Sequence, residues 1–172
     1  LANRLVNGLS SEGVRWAASI ESFAVREQTL IGDVMLGSAF VSYIGSFNAQ
    51  FREELVKTKW VPDMIERSLP MTDGISPIQV LATEAEIAQW SNEKLPSDDI
   101  SVQNGAIICN SARWPLMTDP QLQGINWIRG RETPNGLVSC QQSFKDYLEL
   151  MSKAMEEGLP MLLEKVGESF DA

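Results

Sequence analysis

Four side chains in the second half of the chain are of types that handle nucleotide phosphates: Arg113, Asp119, Glu164 and Lys165. The first two lie in CNSARWPLMTDPQLQGINWI, residues 109–128, between the apolar run GAIIC and a helical pattern. A strand–loop–helix junction of that kind is where backbone N–H groups and a helix N-terminus hold phosphate oxygens. The other two close the apolar run PMLLEKV. A nucleotide hydrolase carries carboxylates at such a strand end, for Mg²⁺ and for the attacking water.

The residues at both places argue against that chemistry. A phosphate loop of the form G-x-x-x-x-G-K-[ST] uses glycines to turn N–H groups inward, and its Lys and hydroxyl serve the phosphates and Mg²⁺. Residues 110–119, NSARWPLMTD, contain no glycine and no lysine, and Pro115 removes one more donor. Asp119-Pro120 reads as the N-cap and first residue of the following helix, a favoured pair. The carboxylate of Asp119 then occupies the amides that a phosphate would need. At the second place, Lys165 stands at the position of a base if the strands correspond, and a protonated lysine cannot take a proton from water. The other reading makes Glu164 and Lys165 a solvated strand end. Neither yields hydrolysis.

Composition narrows the classes further. The 172 residues suffice for one domain with a core, or one domain and an appendage. A formal net charge of −9, from 14 basic and 23 acidic residues, opposes nucleic acid and anionic membranes as partners. The chain has no histidine, so the commonest general base and metal ligand are both missing. Cys109 and Cys140 sit in apolar stretches and read as two buried reduced thiols, with a disulfide or a metal pair as the alternative. No apolar run is long enough to span a bilayer. The first residues, LANRLVNGLSSEG, lack the apolar core of a signal peptide. The chain starts with Leu rather than Met, as expected of a piece of something longer.

The elements that must position these residues change character midway. Residues 1–44 read as helix with a break: Leu1, Leu5, Val6 and Leu9 form a stripe that Gly8 and Gly13 weaken, and apolar residues recur from Val14 to Val25. TLIGDVMLGSAFVSYIG is apolar nearly all round, with small residues suited to close neighbours, and stops near Gly45. The next segment has a cap at Ser46 or Asn48 and a break near Pro62. MTDGISPI is a loop, and Thr83 with Glu86 forms a capping box for a helix ending before Pro96. Trp60 and Trp90 read as helix-packing residues. Then 101–110 reads as a strand, 119–132 as a helix, 136–141 as a strand, 143–158 as a helix ending at Gly158, and 160–166 as a strand. The expected fold class is α/β, a helical N-terminal half followed by a partial parallel βαβαβ sheet.

NGAIICNSARWPLMTDPQLQGINWI closely resembles the fifth AAA+ module of dynein heavy chains, which carries an N-G-x-I … R-W-P-L-M-x-D-P-Q motif in place of a working P-loop. GLPMLLEKVGESFD, LIGDVMLGSAFVSYIGSFNAQFR and GLSSEGVRW resemble further stretches of the same family, so the likeness runs along essentially the whole chain. Thr118, Lys165, Ser169 and Ala172 depart from its usual residues. Trp114, Met117, Gln121 and Trp127 look more like axonemal than cytoplasmic dyneins.

The resemblance implies a mechanical part of a microtubule motor rather than an enzyme. Residues 1–27 are expected to be the base of the returning stalk coiled-coil helix. Residues 28–172 are expected to be the large subdomain of a degenerate AAA+ module, cut after its third strand. Asn110, Arg113, Trp114, Pro115, Asp119, Pro120 and Gln121 would stand in place of the P-loop, and Glu164 and Lys165 at a degenerate third-strand end. No residue is assigned to catalysis, cofactor or metal, and ATP is expected to bind elsewhere in the parent motor. The implied partners are the neighbouring AAA+ modules and the stalk of the same heavy chain, with microtubules reached only indirectly. The implied location is the cytoskeleton, in the axoneme of a cilium or flagellum, or else the cytoplasm. The alternatives are a nucleotide-binding AAA+ ATPase module, and a helical adaptor whose α/β half is coincidental. Trp114 and Pro115 are expected to plug the space of a nucleotide, with Trp127 buried behind them. In the family's sheet the strand between the first and third would follow Ala172. AIIC and MLLEKV are therefore expected to leave an open edge or to borrow a partner chain.

Overall fold

The computed structural model of the chain describes the backbone of residues 2–169 and the side chains of residues 10 and 12–169. The stripe of Leu1, Leu5, Val6 and Leu9 and the departure at Ala172 lie outside the described residues. In chain order the helices are α1 (Ala2–Tyr43), α2 (Ala49–Glu54), α3 (Val61–Glu66), α4 (Pro77–Leu81), α5 (Glu84–Asn92), α6 (Asp99–Asn110) and α7 (Gln123–Glu132). Strand β1 (Val138–Gln141), helix α8 (Tyr147–Glu157) and strand β2 (Met161–Glu164) follow. The chain divides into two compact units, Leu1–Thr83 with Gln103–Trp114, and Glu84–Val102 with Pro115–Ala172.

In the first unit α1 runs unbroken through Gly8 and Gly13. From Gly13 to Gln28 almost every side chain is exposed, and burial starts only at Gly32. Beyond that point one face, with Leu36, Phe40 and Ile44, forms core, while Leu30, Ile31, Val34 and Met35 remain exposed. The stretch expected to be buried all round is thus buried on one side. Gly32 is required by close approach: its N–H donates to the Pro70 carbonyl at 3.1 Å, and a Cβ there would collide with that oxygen. Beside it Asp33 accepts both the N–H and the hydroxyl of Thr72, at 2.8 and 2.7 Å.

Asn48 is the cap foreseen for the next helix, its side-chain oxygen accepting the N–H of Phe51 at 3.0 Å. The chain does not break at Pro62. Residues Leu55–Trp60 widen into a π-helical segment, and Pro62, which has no N–H to donate, stands directly after it at the start of α3. The helical path therefore bends its hydrogen-bond pattern instead of stopping.

The segment 101–110 is a correction to the expected order: it is the body of α6, not a strand. A short apolar run does not distinguish strand from helix by periodicity. The decision is local. Asp98 accepts the N–H and the hydroxyl of Ser101 at 3.0 and 2.7 Å, which satisfies the opening turn of a helix. These bonds hold the Asp98 carboxyl below its usual range, the Ser101 hydroxyl acting most strongly. Gly105 and Ala106 give α6 a narrow face that can be buried.

The second unit carries the α/β part. β1 and β2 pair in parallel, Val138 opposite Met161 through Gln141 opposite Glu164. Helix α8 makes the crossover and ends at Gly158, whose φ of 67° is the left-handed cap conformation that suits glycine. Two of the three expected strands are therefore present, joined by the expected helix, and among the described residues the sheet has two strands. The core of this unit holds Trp90, Leu95, Trp127, Tyr147, Ala154 and Leu162. Trp127 is fully buried, as expected. Its ring meets Trp90 edge to face at 6.1 Å, its Nε1–H donates to Glu93 at 3.1 Å, and the Arg131 guanidinium lies 5.8 Å over it.

Candidate functional site

The stretch between α6 and α7 has no regular structure. Its first residues belong to the first unit. Asn110 ends α6, its amide nitrogen donating to the carbonyls of Ala106 at 2.9 Å and Leu81 at 3.1 Å. Arg113 is exposed, and its N–H donates to the Ser111 hydroxyl in a tight turn. Trp114 is 81% exposed. The expectation that Trp114 and Pro115 plug a nucleotide space is overturned: both are exposed, and Leu116 is 83% exposed. An irregular stretch with a proline and no sheet partner among the described residues leaves these side chains without a core to pack into.

Asp119 lies in the second unit and does what was expected of it by a different route. The left-handed Leu122, not Asp119, is the N-cap of α7, and Pro120 and Gln121 form an exposed turn before the helix instead of its first residues. From three residues upstream of that cap, Asp119 Oδ1 accepts the N–H of Gln123 at 3.0 Å and Oδ2 that of Ile125 at 2.9 Å. The carboxylate therefore sits on the first-turn amides. Gly124 makes this possible, since a Cβ there would lie 3.3 Å from both Asp119 Oδ2 and the Met117 sulfur. The sequence carries that signal only as a glycine just past the proline turn.

At the end of β2, Glu164 is no solvated residue. Its Oε1 accepts the Ser139 hydroxyl at 2.7 Å and pairs with the Arg129 guanidinium from α7. The Ser139 hydroxyl first, then Arg129, hold its carboxyl below the usual range, against an opposing effect of burial. The Cys140 thiol beside it is pushed up, by burial first and by Glu164 second. Cys140 is half-buried and Cys109 is exposed, so the expectation of two buried thiols fails for Cys109; neither is in a disulfide. Lys165 follows in the left-handed region at φ 53° and is exposed. Arg129 and Ser139 were not singled out from the sequence, where nothing marks residues 35 and 25 positions from their partner.

The carboxylates of Asp119 and Glu164 each accept from two protein groups. Among the described residues no cluster of His, Cys, Asp and Glu could hold a metal ion, and no described helix is long and apolar enough to cross a membrane. A shallow hollow beside β1 is lined by Ser139, Cys140, Gln141, Ser143, Phe144 and Leu150, none of them among the residues expected to stand in place of a P-loop.

Residues 88–172 match the family described as the ATP-binding dynein motor region, and residues 1–64 the microtubule-binding stalk of the dynein motor. The chain is 52% identical over its whole length to the flagellar outer arm dynein beta chain of Chlamydomonas reinhardtii, and 48% to the alpha chain of the same arm. It is 44% identical, over 99% of its length, to dynein axonemal heavy chain 17 of Mus musculus. In each case it spans 4% of the relative's length. With two dynein regions matched and such identity from end to end, the chain belongs to the dynein heavy chain family, of axonemal type.

Proposed function

We propose that this chain is a mechanical element of an axonemal dynein, joining the stalk to the motor ring and binding no nucleotide of its own. Its partners are then the neighbouring ring modules and the stalk of the same heavy chain, and its place is the axoneme. Microtubules are reached only through the stalk, and ATP is bound and hydrolysed elsewhere in the motor.

The observation that carries the reading is the carboxylate of Asp119 on the N–H groups of Gln123 and Ile125. A helix N-terminus attracts an anion by roughly 0.3–1 kcal/mol. A phosphate placed about 4 Å from a carboxylate meets about 4 kcal/mol of repulsion at an effective dielectric of about 20. The repulsion wins, and residues 110–119 supply no glycine or lysine to offset it. The form of α1 supports the stalk part. Its 42 residues make a rod of about 63 Å at about 1.5 Å per residue. Trp16, Ile20 and Phe23 are exposed along it at the four-and-three spacing of a coiled-coil seam, which Leu30 and Val34 resume after Glu27.

The second reading, a nucleotide-binding module, is favoured by one observation: the family matched by residues 88–172 is described as ATP-binding. Titration calorimetry of the chain with Mg-ATP separates the two. No saturable heat is expected up to millimolar nucleotide. Binding tighter than about 1 mM, or about −4 kcal/mol, would replace the mechanical reading with the second one.

A further inference from the structure

Arg52 is 5% exposed, and no ion pair is formed by it among the described residues. Its guanidinium instead makes four hydrogen bonds to neutral acceptors. Nε donates to the Phe47 carbonyl at 2.7 Å, and Nη2 to the Gly45 carbonyl at 3.1 Å. Nη2 also donates to Asn104 Oδ1 at 2.9 Å, and Nη1 to Gln103 Oε1 at 3.2 Å. The first two acceptors lie in the turn that closes α1. The other two are side chains of α6, 51 and 52 residues further along the chain, brought onto the same planar fork.

We propose that Arg52 is the positioning residue that makes the turn closing α1 and helix α6 move as one body, so that displacement of α1 reaches Asn110, where α6 ends. This rests on the preceding section's reading of the chain as a mechanical link, a relay between stalk and ring. A guanidinium is rigid and planar, so its bonds to the turn and to α6 fix both at once. Shifting either by a bond length takes two of its four acceptors from a buried charge, which is far costlier than losing an exposed ion pair. Burial already lowers the pKa of the group, as expected of a charge with no anion beside it. The connection is therefore held fully or lost, which is what a relay requires and what a sliding apolar contact does not give.

The test uses the full-length heavy chain. The ratio of microtubule affinities with and without ATP is measured alongside hydrogen exchange of residues 45–52 and 103–110. Arg52→Lys and Arg52→Met should speed exchange in both segments together and shrink the affinity ratio at least about fivefold, the lower end of coupling between linked sites. Asn104→Asp gives the guanidinium an anion on an exposed side chain and keeps the fold testable if the Arg52 variants do not assemble. It should slow exchange and keep or enlarge the ratio, because the two segments are then held together more tightly. The Arg52 variants and Asn104→Asp thus move exchange in opposite directions, and the ratio follows the connection. Asn104→Asp with slower exchange and a smaller ratio overturns the proposal, as does Arg52→Lys behaving like wild type. A wild-type motor with no ATP-dependent ratio removes the relay reading instead, and joint exchange of the two segments then decides the connection alone.

Discussion

Asp119 and Ile125 are joined by a carboxylate-to-amide hydrogen bond of 2.9 Å, six residues apart, with the other carboxylate oxygen on Gln123. One side chain thus satisfies two of the four N–H groups that the start of α7 leaves without helical partners. Asp119→Ala should destabilise the second unit by about 1 kcal/mol, within the roughly 0.5–2 kcal/mol seen for lost caps. Asp119→Asn keeps one acceptor and should cost less. Urea denaturation reads both. Neither variant should bind Mg-ATP, because residues 110–118 still lack glycine and lysine; a gain of binding in Asp119→Asn would mean the carboxylate alone had closed a working site.

The two tryptophans flanking this junction should respond oppositely. Trp127→Ala removes a fully buried ring that touches Trp90, Glu93 and Arg131, and should cost roughly 3–5 kcal/mol. Trp114→Ala removes an exposed ring and should stay within about 0.5 kcal/mol. Thermal melts of the two variants check this. Equal losses would place Trp114 in a core.

Glu164 ties β2 to β1 and α7 through Ser139 and Arg129, and its folded pKa lies below the unfolded one. A carboxyl shifted in that direction adds stability above its unfolded pKa of about 4.3. That stability is lost as pH falls through the lower folded value. The wild type should therefore lose more stability than Glu164→Gln between about pH 6 and about pH 3. Parallel pH curves for the two proteins would show the pair to be energetically silent.

At Gly32 a methyl group has no room, because the Pro70 carbonyl oxygen occupies its place. Gly32→Ala should favour α1 as a helix yet detach the loop that carries Pro70 and Thr72, at a net cost of about 1–3 kcal/mol, typical of overpacking. Gly13→Ala, with open space around it, should instead stabilise by up to about 1 kcal/mol. Denaturation midpoints that move in the same direction for both would contradict the close approach.

What the sequence determined by itself was local. The strands at 136–141 and 160–166 and the helix ending at Gly158 were legible because period, β-branched or apolar runs and a terminal glycine specify them without distant partners. The carboxylate at the start of α7 was legible for the same reason, although the cap itself turned out to be Leu122. The absence of glycine and lysine in 110–119 needed no structure at all. Where the pattern was ambiguous, the wrong element was read: GAIIC fits a strand or a helix, and the Asp98–Ser101 bonds decided for the helix. The exposure of Trp114, the pairing of Glu164 with Arg129 and the four bonds of Arg52 were decided only by the tertiary structure. They depend on groups as far as 52 residues away in sequence, or on which surfaces find a partner, and chain periodicity carries no information about either.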